Sequence, residues 1–334
     1  MPNTFPSVLP TLARTADDRA PEFRCFLADQ PEYLVPDRLL SHGHSSDYGG
    51  PLVVNPNAWF TWRESMPAAI ENCYPLPEKF RGNTGMIWVD DPLTGMLTPF
   101  WTGPWFQGKL AGLTRGNTVP ALSLHQRSVL SQAGVLVSPG DSSRRSAAWK
   151  QQFLNSTRNF QNDGFAQVHG LIHPFLIGSL RRYYRHLLRS GGMTLGDSGC
   201  PRRYVAYNES VAQFFHKQIA PVVSSIAGVE VRPSFVYVGS YLEGSDLPEH
   251  TDRAQCEYAI TLLIDYTPEP VDQSPWPFYI KTSKGTIRIW QGIGDATIYR
   301  GTQLSHYRKQ LAAGATSTSI FFYYVDENFA GPLG

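Results

Sequence analysis

The residues best placed to do chemistry are His250, Asp252 and His306. Two imidazoles and a carboxylate in the pattern H-x-D…H form the donor set that holds Fe(II) on one face and leaves the opposite positions open. Spacing supplies a mechanical reason. Side chains alternate along an extended segment, so positions 250 and 252 point one way and Thr251 the other. A third donor arriving from a distant strand then closes the face. The tripeptide alone recurs by chance in chains of this length and is as common in a surface loop, so the elements around it must decide.

Those elements are legible. Ser234 to Tyr241 is rich in aromatic and β-branched residues and predicts a strand, and Glu243-Gly244-Ser245-Asp246-Leu247-Pro248 predicts the turn that delivers His250. Tyr258 to Tyr266 is an almost unbroken apolar run, the signature of a strand buried on both faces. Further strands are predicted at Gly285–Trp290, Asp295–Gly301 and Ser317–Val325. Short strands divided by Gly, Pro and Asp turns predict an antiparallel sandwich or barrel of the jelly-roll kind. Helical spacing marks 147–159, 174–188 and 210–226, which would cover one sheet.

With these elements in place, three stretches carry a family resemblance. Y-L-E-G-S-D-L-P-E-H-T-D (241 to 252), L-L-I-D-Y (262 to 266) and Y-R-G-T-Q-L-S-H-Y-R (299 to 308) resemble the core of the iron(II)/2-oxoglutarate-dependent oxygenases, in particular their prolyl-hydroxylase-like branch. Phe160-Gln161-Asn162-Asp163-Gly164-Phe165 and the helix after it are similar to that branch's lead-in. The resemblance spans about residues 155–326. It implies a mainly β fold with flanking helices (α+β), in which a double-stranded β-helix (jelly-roll) core at 147–334 follows an aromatic-rich N-terminal extension at 1–146. It also implies Fe(II) on His250, Asp252 and His306, 2-oxoglutarate as co-substrate with O2, and hydroxylation of a small-molecule, amino-acid or peptide-like substrate. Asp252 matters to that outcome, because members that halogenate replace the carboxylate.

The chain departs from the pattern at the co-substrate. Most such oxygenases carry an Arg or Lys about ten residues after the distal histidine, paired with the far carboxylate of 2-oxoglutarate. Here positions 315–319 are Ala, Thr, Ser, Thr and Ser, and no basic residue follows Lys309. Hydroxyls do not neutralise a buried dicarboxylate. Arg308, two residues beyond His306 and so on the same strand face, is the expected replacement, since its guanidinium offers a two-point fork to a carboxylate. The plain alternative is a salt bridge at the rim. Arg300 and Arg288 are the next cations, with Tyr237, Tyr241, Thr261 and Ser319 as hydroxyl partners. Two other readings follow: an iron oxygenase of the same fold that does without 2-oxoglutarate, and a jelly-roll binding module without catalysis.

Composition narrows the classes. A net charge of +1, with 29 basic and 28 acidic residues, leaves no phosphate track for nucleic acid. The pairs Arg144-Arg145, Arg181-Arg182 and Arg202-Arg203 read as solvated faces. No apolar run approaches the ~20 residues that span a bilayer, and no signal-peptide pattern opens the chain, so the expected location is cytoplasmic. Cysteines 25, 73, 200 and 256 have no C-x-x-C spacing and read as reduced, mostly buried thiols. Six of the eight tryptophans (59, 62, 88, 101, 105, 149) precede residue 150, and they are expected to pack the extension on the core or to line a substrate pocket. The polar stretch 138–146 reads as a loop at the boundary. Among the other histidines, His42 and His44 read as a solvated loop, and His169, His173, His186 and His216 as ordinary structural or surface imidazoles.

Overall fold

The computed structural model of the protein describes residues 21–27, 51–61, 85–90, 96–103, 112–117 and 122–333, with the single positions 35, 36, 39, 80 and 110. His42, His44, Cys73, Trp62 and Trp105 lie outside the described residues. In chain order the elements are β1 (Val53–Val54), β2 (Ala58–Phe60), β3 (Met86–Asp90), β4 (Leu97–Trp101), α1 (Leu124–Gln132), β5 (Leu136–Val137), α2 (Pro139–Asp163), β6 (Phe165–His169), α3 (Pro174–Arg189), β7 (Thr194–Leu195) and β8 (Arg203–Tyr207). There follow α4 (Ser210–Ala227), β9 (Val231–Tyr241), β10 (Leu247–His250), β11 (Tyr258–Thr267), β12 (Phe278–Thr282), β13 (Gly285–Ile289), β14 (Asp295–Arg300), β15 (His306–Arg308) and β16 (Thr316–Asp326).

Two antiparallel sheets form the centre. Seven strands run in the order β6-β14-β11-β16-β9-β8-β7, and four run β10-β15-β12-β13. Side-chain alternation sorts the large sheet into two faces. On β16, Ile320, Phe322 and Tyr324 join the helix-side core, whereas Phe321 and Tyr323 turn toward the four-stranded sheet. Tyr241 of β9 meets Trp276 at 5.0 Å between ring centroids, and Tyr299 of β14 meets Phe278 at 5.2 Å, so aromatic rings from both sheets fill the space between them. β11 is buried at nine consecutive positions, as its apolar run predicts, because helices cover one face and the second sheet covers the other.

Helices α2, α3 and α4 occupy the expected places. Each N-terminus is set by its sequence: α3 takes Pro174 in its first turn, with His173 Nδ1 accepting from Phe175 N, and Glu209 caps α4 by accepting from Val211 N and Ala212 N. The stretch 138–146 is a correction. It is not a loop; α2 starts at Pro139 and runs unbroken to Asp163, so the boundary expected between 146 and 147 falls inside a helix. Proline lacks only an N–H that the first helical position leaves unbonded anyway.

The described aromatic residues of the first half pack on the helices, away from the second sheet. Phe80 meets Phe214 at 4.7 Å, Phe23 meets Phe215 at 6.1 Å and Tyr183 at 6.0 Å, and Trp88 meets Phe214 at 6.1 Å. Trp88 and Trp101 are fully buried, with Trp59 and Trp149 packed against the same core. Two arginine pairs are also corrected: Arg181 is fully buried against Asp265 and Glu269, and Arg203 is buried against Asp197, because neighbouring residues in a helix or strand face different ways. Cys25, Cys200 and Cys256 are buried. No described helix is long and apolar enough to cross a membrane.

Candidate metal centre

β10 and β15 place the histidines. In their antiparallel register His250 lies directly opposite His306, and the imidazole centroids are 4.4 Å apart. Asp252 follows β10 by two residues, and its backbone N–H donates to Gly301 O at 2.9 Å, which ties the segment to the end of β14. Gly301 is required there. A Cβ on it would fall well inside contact distance of both Cys256 O and Asp252 Oδ2. The glycine of the Tyr299-Arg300-Gly301 stretch therefore makes the room in which the carboxylate sits.

The donor atoms converge. Asp252 Oδ1 lies 3.6 Å from His250 Nε2 and 3.6 Å from His306 Nε2. Each ring is turned by a local carbonyl: His250 Nδ1 donates to Pro248 O at 2.8 Å and His306 Nδ1 donates to Leu304 O at 2.9 Å. With the proton held on Nδ1, both Nε2 lone pairs face Asp252, the tautomer a metal ligand needs. Among the described residues this is the one group of three or more His, Cys, Asp or Glu whose donor atoms all lie within 4.8 Å of one another.

Electrostatics agree. Burial pushes the Asp252 carboxyl upward, but the two imidazoles outweigh it and hold the group below its ordinary range. Asp252 in turn raises His250, against the opposing effect of burial. Asp252 Oδ2, against Gly301, is buried with no hydrogen-bond partner, so the charge of this buried carboxylate is left for a cation at the donor set to balance. A Fe(II)-type divalent ion fits this donor set, with one side left to other ligands.

Arg308, the expected anchor, faces the interior from the strand that carries His306. It is 5 % exposed, donates from Nη1 to Trp276 O at 2.7 Å and from Nη2 to Gln291 Oε1 at 2.8 Å, and lies over the rings of Trp276 and Phe278. Both acceptors are neutral. No carboxylate among the described residues pairs with it, and burial lowers its pKa to about 10. The inner faces of β11, β14 and β16 add buried hydroxyls without partners on Thr261, Thr297 and Ser317. Ser319 and Tyr241 share that inner side, and Tyr237 stacks on Phe321 at 4.6 Å.

The remaining predicted cations lie elsewhere. Arg300 alternates with Tyr299 to the helix-covered face, over Phe160 and Tyr258, and Arg288 sits exposed over Tyr279 and Trp290 on the outside of the small sheet. Of the competing histidines, His169 pairs with Asp295, His173 caps α3 and bonds Gln132 O, and His216 is buried against Tyr323 O. Sequence reasoning missed Arg203, Gln291, Trp276 and Gly301. Only Gly301, inside the quoted 299–308 stretch, carried a signal that could have found it.

No protein-family model and no curated protein sequence matches the chain. Solved structures similar to it are prolyl hydroxylases and other 2-oxoglutarate-Fe(II) oxygenases. A prolyl-4-hydroxylase from Pseudomonas putida is 12 % identical, aligns over 53 % of this chain and 100 % of its own, and gives a TM-score of 0.45. A Trichoplax adhaerens prolyl hydroxylase in complex with a hypoxia inducible factor oxygen degradation domain peptide fragment is 12 % identical over 55 % of this chain and 93 % of its own, with a TM-score of 0.45. HygX from Streptomyces hygroscopicus, with nickel and 2-oxoglutarate bound, is 13 % identical over 52 % and 87 %, with a TM-score of 0.41.

Proposed function

We propose that the chain is an Fe(II)/2-oxoglutarate-dependent oxygenase on a jelly-roll core, hydroxylating a C–H bond of a small-molecule, amino-acid or peptide-like substrate. The observation that carries this reading is the convergence of His250 Nε2, His306 Nε2 and Asp252 Oδ1, with the histidine tautomers fixed by Pro248 O and Leu304 O. Bound Fe(II) and 2-oxoglutarate supply the O2-dependent oxidation of the substrate, with release of succinate and CO2. The protein's own part is to hold and orient them. His250, Asp252 and His306 hold the metal from one side. Arg308, a buried cation without an anionic partner, holds the far carboxylate of the co-substrate, and the free hydroxyls of Thr261, Thr297 and Ser317 line the same inner wall. Trp276 and Phe278 cover the guanidinium and keep water from it, which strengthens its hold on an anion.

The test is Fe(II)-dependent conversion of 2-oxoglutarate to succinate by the full chain. Replacement of His250, Asp252 or His306 by Ala should abolish both turnover and Fe(II) binding while leaving the circular-dichroism spectrum unchanged. Full turnover by any of the three overturns the site. A second reading draws on one feature: β16 carries no Lys or Arg. It is an iron oxygenase that consumes O2 without 2-oxoglutarate, and oxygen uptake in the absence of added 2-oxoglutarate distinguishes it.

A further inference from the structure

Gly239 lies between Tyr237 and Tyr241 on the inner face of β9, directly opposite Val205 of β8 and Ser319 of β16. A Cβ there would come within 3.1 Å of Arg203 Cδ and 3.2 Å of Phe321 Cε2. The missing side chain lets Arg203 lie inward across the strand, its guanidinium over the rings of Tyr237 at 5.3 Å and Tyr241 at 5.1 Å. This turns a cation into the space between the two sheets, where Tyr241 meets Trp276 and where His306 packs on Phe278 and Tyr299.

The guanidinium is only partly used. Nη1 donates to Tyr241 OH at 2.7 Å and to Tyr237 OH at 3.3 Å. Nη2 donates to Asp197 Oδ2, and Nε is buried without a partner. Asp197 cannot supply the second point of a fork, because its Oδ1 already accepts from Gly199 N at 2.9 Å and Cys200 N at 2.8 Å in the turn before β8. A residue serving only to pin that turn would need no cut-out at Gly239 and no platform of two tyrosines. Beside the pair, a groove of about 460 Å³ lined in part by Thr194, Asp197 and Tyr207 opens to solvent, and Tyr207 continues the ring surface from Tyr237 at 5.3 Å.

We propose that Arg203 is the specificity-determining residue of the site, binding a carboxylate on the substrate while a flat or aromatic substrate body lies along Tyr207 and Tyr237. This rests on the proposed function only in taking the open side of the triad as the place of the substrate. Arginine offers a planar fork for a carboxylate and none for the matching neutral amide.

The experiment measures binding rather than turnover. Phenylacetate, 3-phenylpropanoate and N-acetylphenylalanine are titrated against their primary amides into the metal-free full chain, followed by saturation-transfer NMR. Wild type is expected to favour the acids by roughly 10- to 100-fold, the range of a charge-assisted hydrogen bond. Arg203→Gln should bring acid and amide to equal affinity, while Arg308→Leu should leave the preference in place. A preference that survives Arg203→Gln, one that vanishes with Arg308→Leu, or none in wild type overturns the proposal. Should Arg203→Gln fail to fold, Arg203→Lys decides, since it keeps a cation for Asp197 but loses the fork; at least a threefold loss of acid preference is expected, and an unchanged ratio overturns the proposal. Absence of succinate formation with the Arg203-dependent preference intact would refute the proposed function and leave this inference standing.

Discussion

Replacing Arg308 with Leu separates the co-substrate from the metal. The wild-type guanidinium is buried against two neutral oxygens, Trp276 O and Gln291 Oε1, and burial lowers its pKa to about 10. The site therefore holds a cation disfavoured by its burial, which a carboxylate relieves. Leucine removes both the destabilised charge and its two hydrogen bonds, so the unliganded protein should change stability by no more than about 1 kcal/mol, as the two effects oppose. A bound dicarboxylate, in contrast, is left with an unpaired buried charge at a cost of about 3 to 5 kcal/mol. That corresponds to roughly two to three decades in the dissociation constant. The assay is anaerobic calorimetric titration of 2-oxoglutarate into protein loaded with Mn(II) as a redox-silent substitute, alongside a metal titration. Metal affinity should stay within about threefold of wild type, because Arg308 touches none of the three ligands. An unaltered 2-oxoglutarate affinity would show that the anchor is not Arg308, and an equal loss of metal affinity would show that the residue merely supports the strand.

Gly301→Ala should lower Fe(II) affinity at least about tenfold, because the new methyl displaces the Asp252 carboxylate or the Cys256 carbonyl; normal Fe(II) binding would show that the cavity yields freely. His216 gives a pH dependence away from the site: burial depresses its pKa to about 4 from 6.5, so the unfolded chain takes up the proton first and stability falls as pH drops from 6.5 to 4. The loss is about 3 kcal/mol. It should be absent in His216→Gln, and urea midpoints measured across that pH range in both proteins check it, with parallel curves counting against it. Deleting residues 1–121 should give insoluble protein, because it uncovers Phe214, Phe215 and Tyr183, which Phe23, Phe80 and Trp88 now cover; a soluble, folded fragment starting at residue 122 would contradict the shared core.

The triad was legible because the spacing of His250 and Asp252 is local and the strands around it are distinctive. β9, β11 and β16 announce themselves through β-branched and aromatic runs, and the alternation that puts His250 and Asp252 together is a property of any extended segment. Arg308 followed from the same alternation, two positions from His306. Arg203 did not. As half of an Arg-Arg pair it looks like solvated surface, and nothing local says that the chain will pair it with Tyr241 across a strand that lacks a side chain at Gly239. Gln291 and Trp276 escaped for the same reason, since they meet Arg308 only after the β12 and β15 strands are brought together. The start of α2 was missed because Ser-, Gly- and Arg-rich composition suits a helix's first turns as well as a loop.

The facing of His250 and His306 across β10 and β15 has a mechanical side. β10 is an edge strand, joined to the sheet through just two residue pairs, Leu247 with Arg308 and His250 with His306, with an irregularity between them. An ion held by both imidazoles would rivet that edge to its neighbour, so occupancy and local order become one thermodynamic quantity. At a free metal concentration 100 times the dissociation constant, the rivet would be worth about 2.7 kcal/mol, and it would act on the Leu247–His250 edge itself, since the turn at 242–246 is held separately by Leu242 N donating to Arg202 O and Gly244 N donating to Leu311 O. Metal supply would then govern how long the edge stays closed, and metal removal would loosen β10 before the rest of the sheet opens.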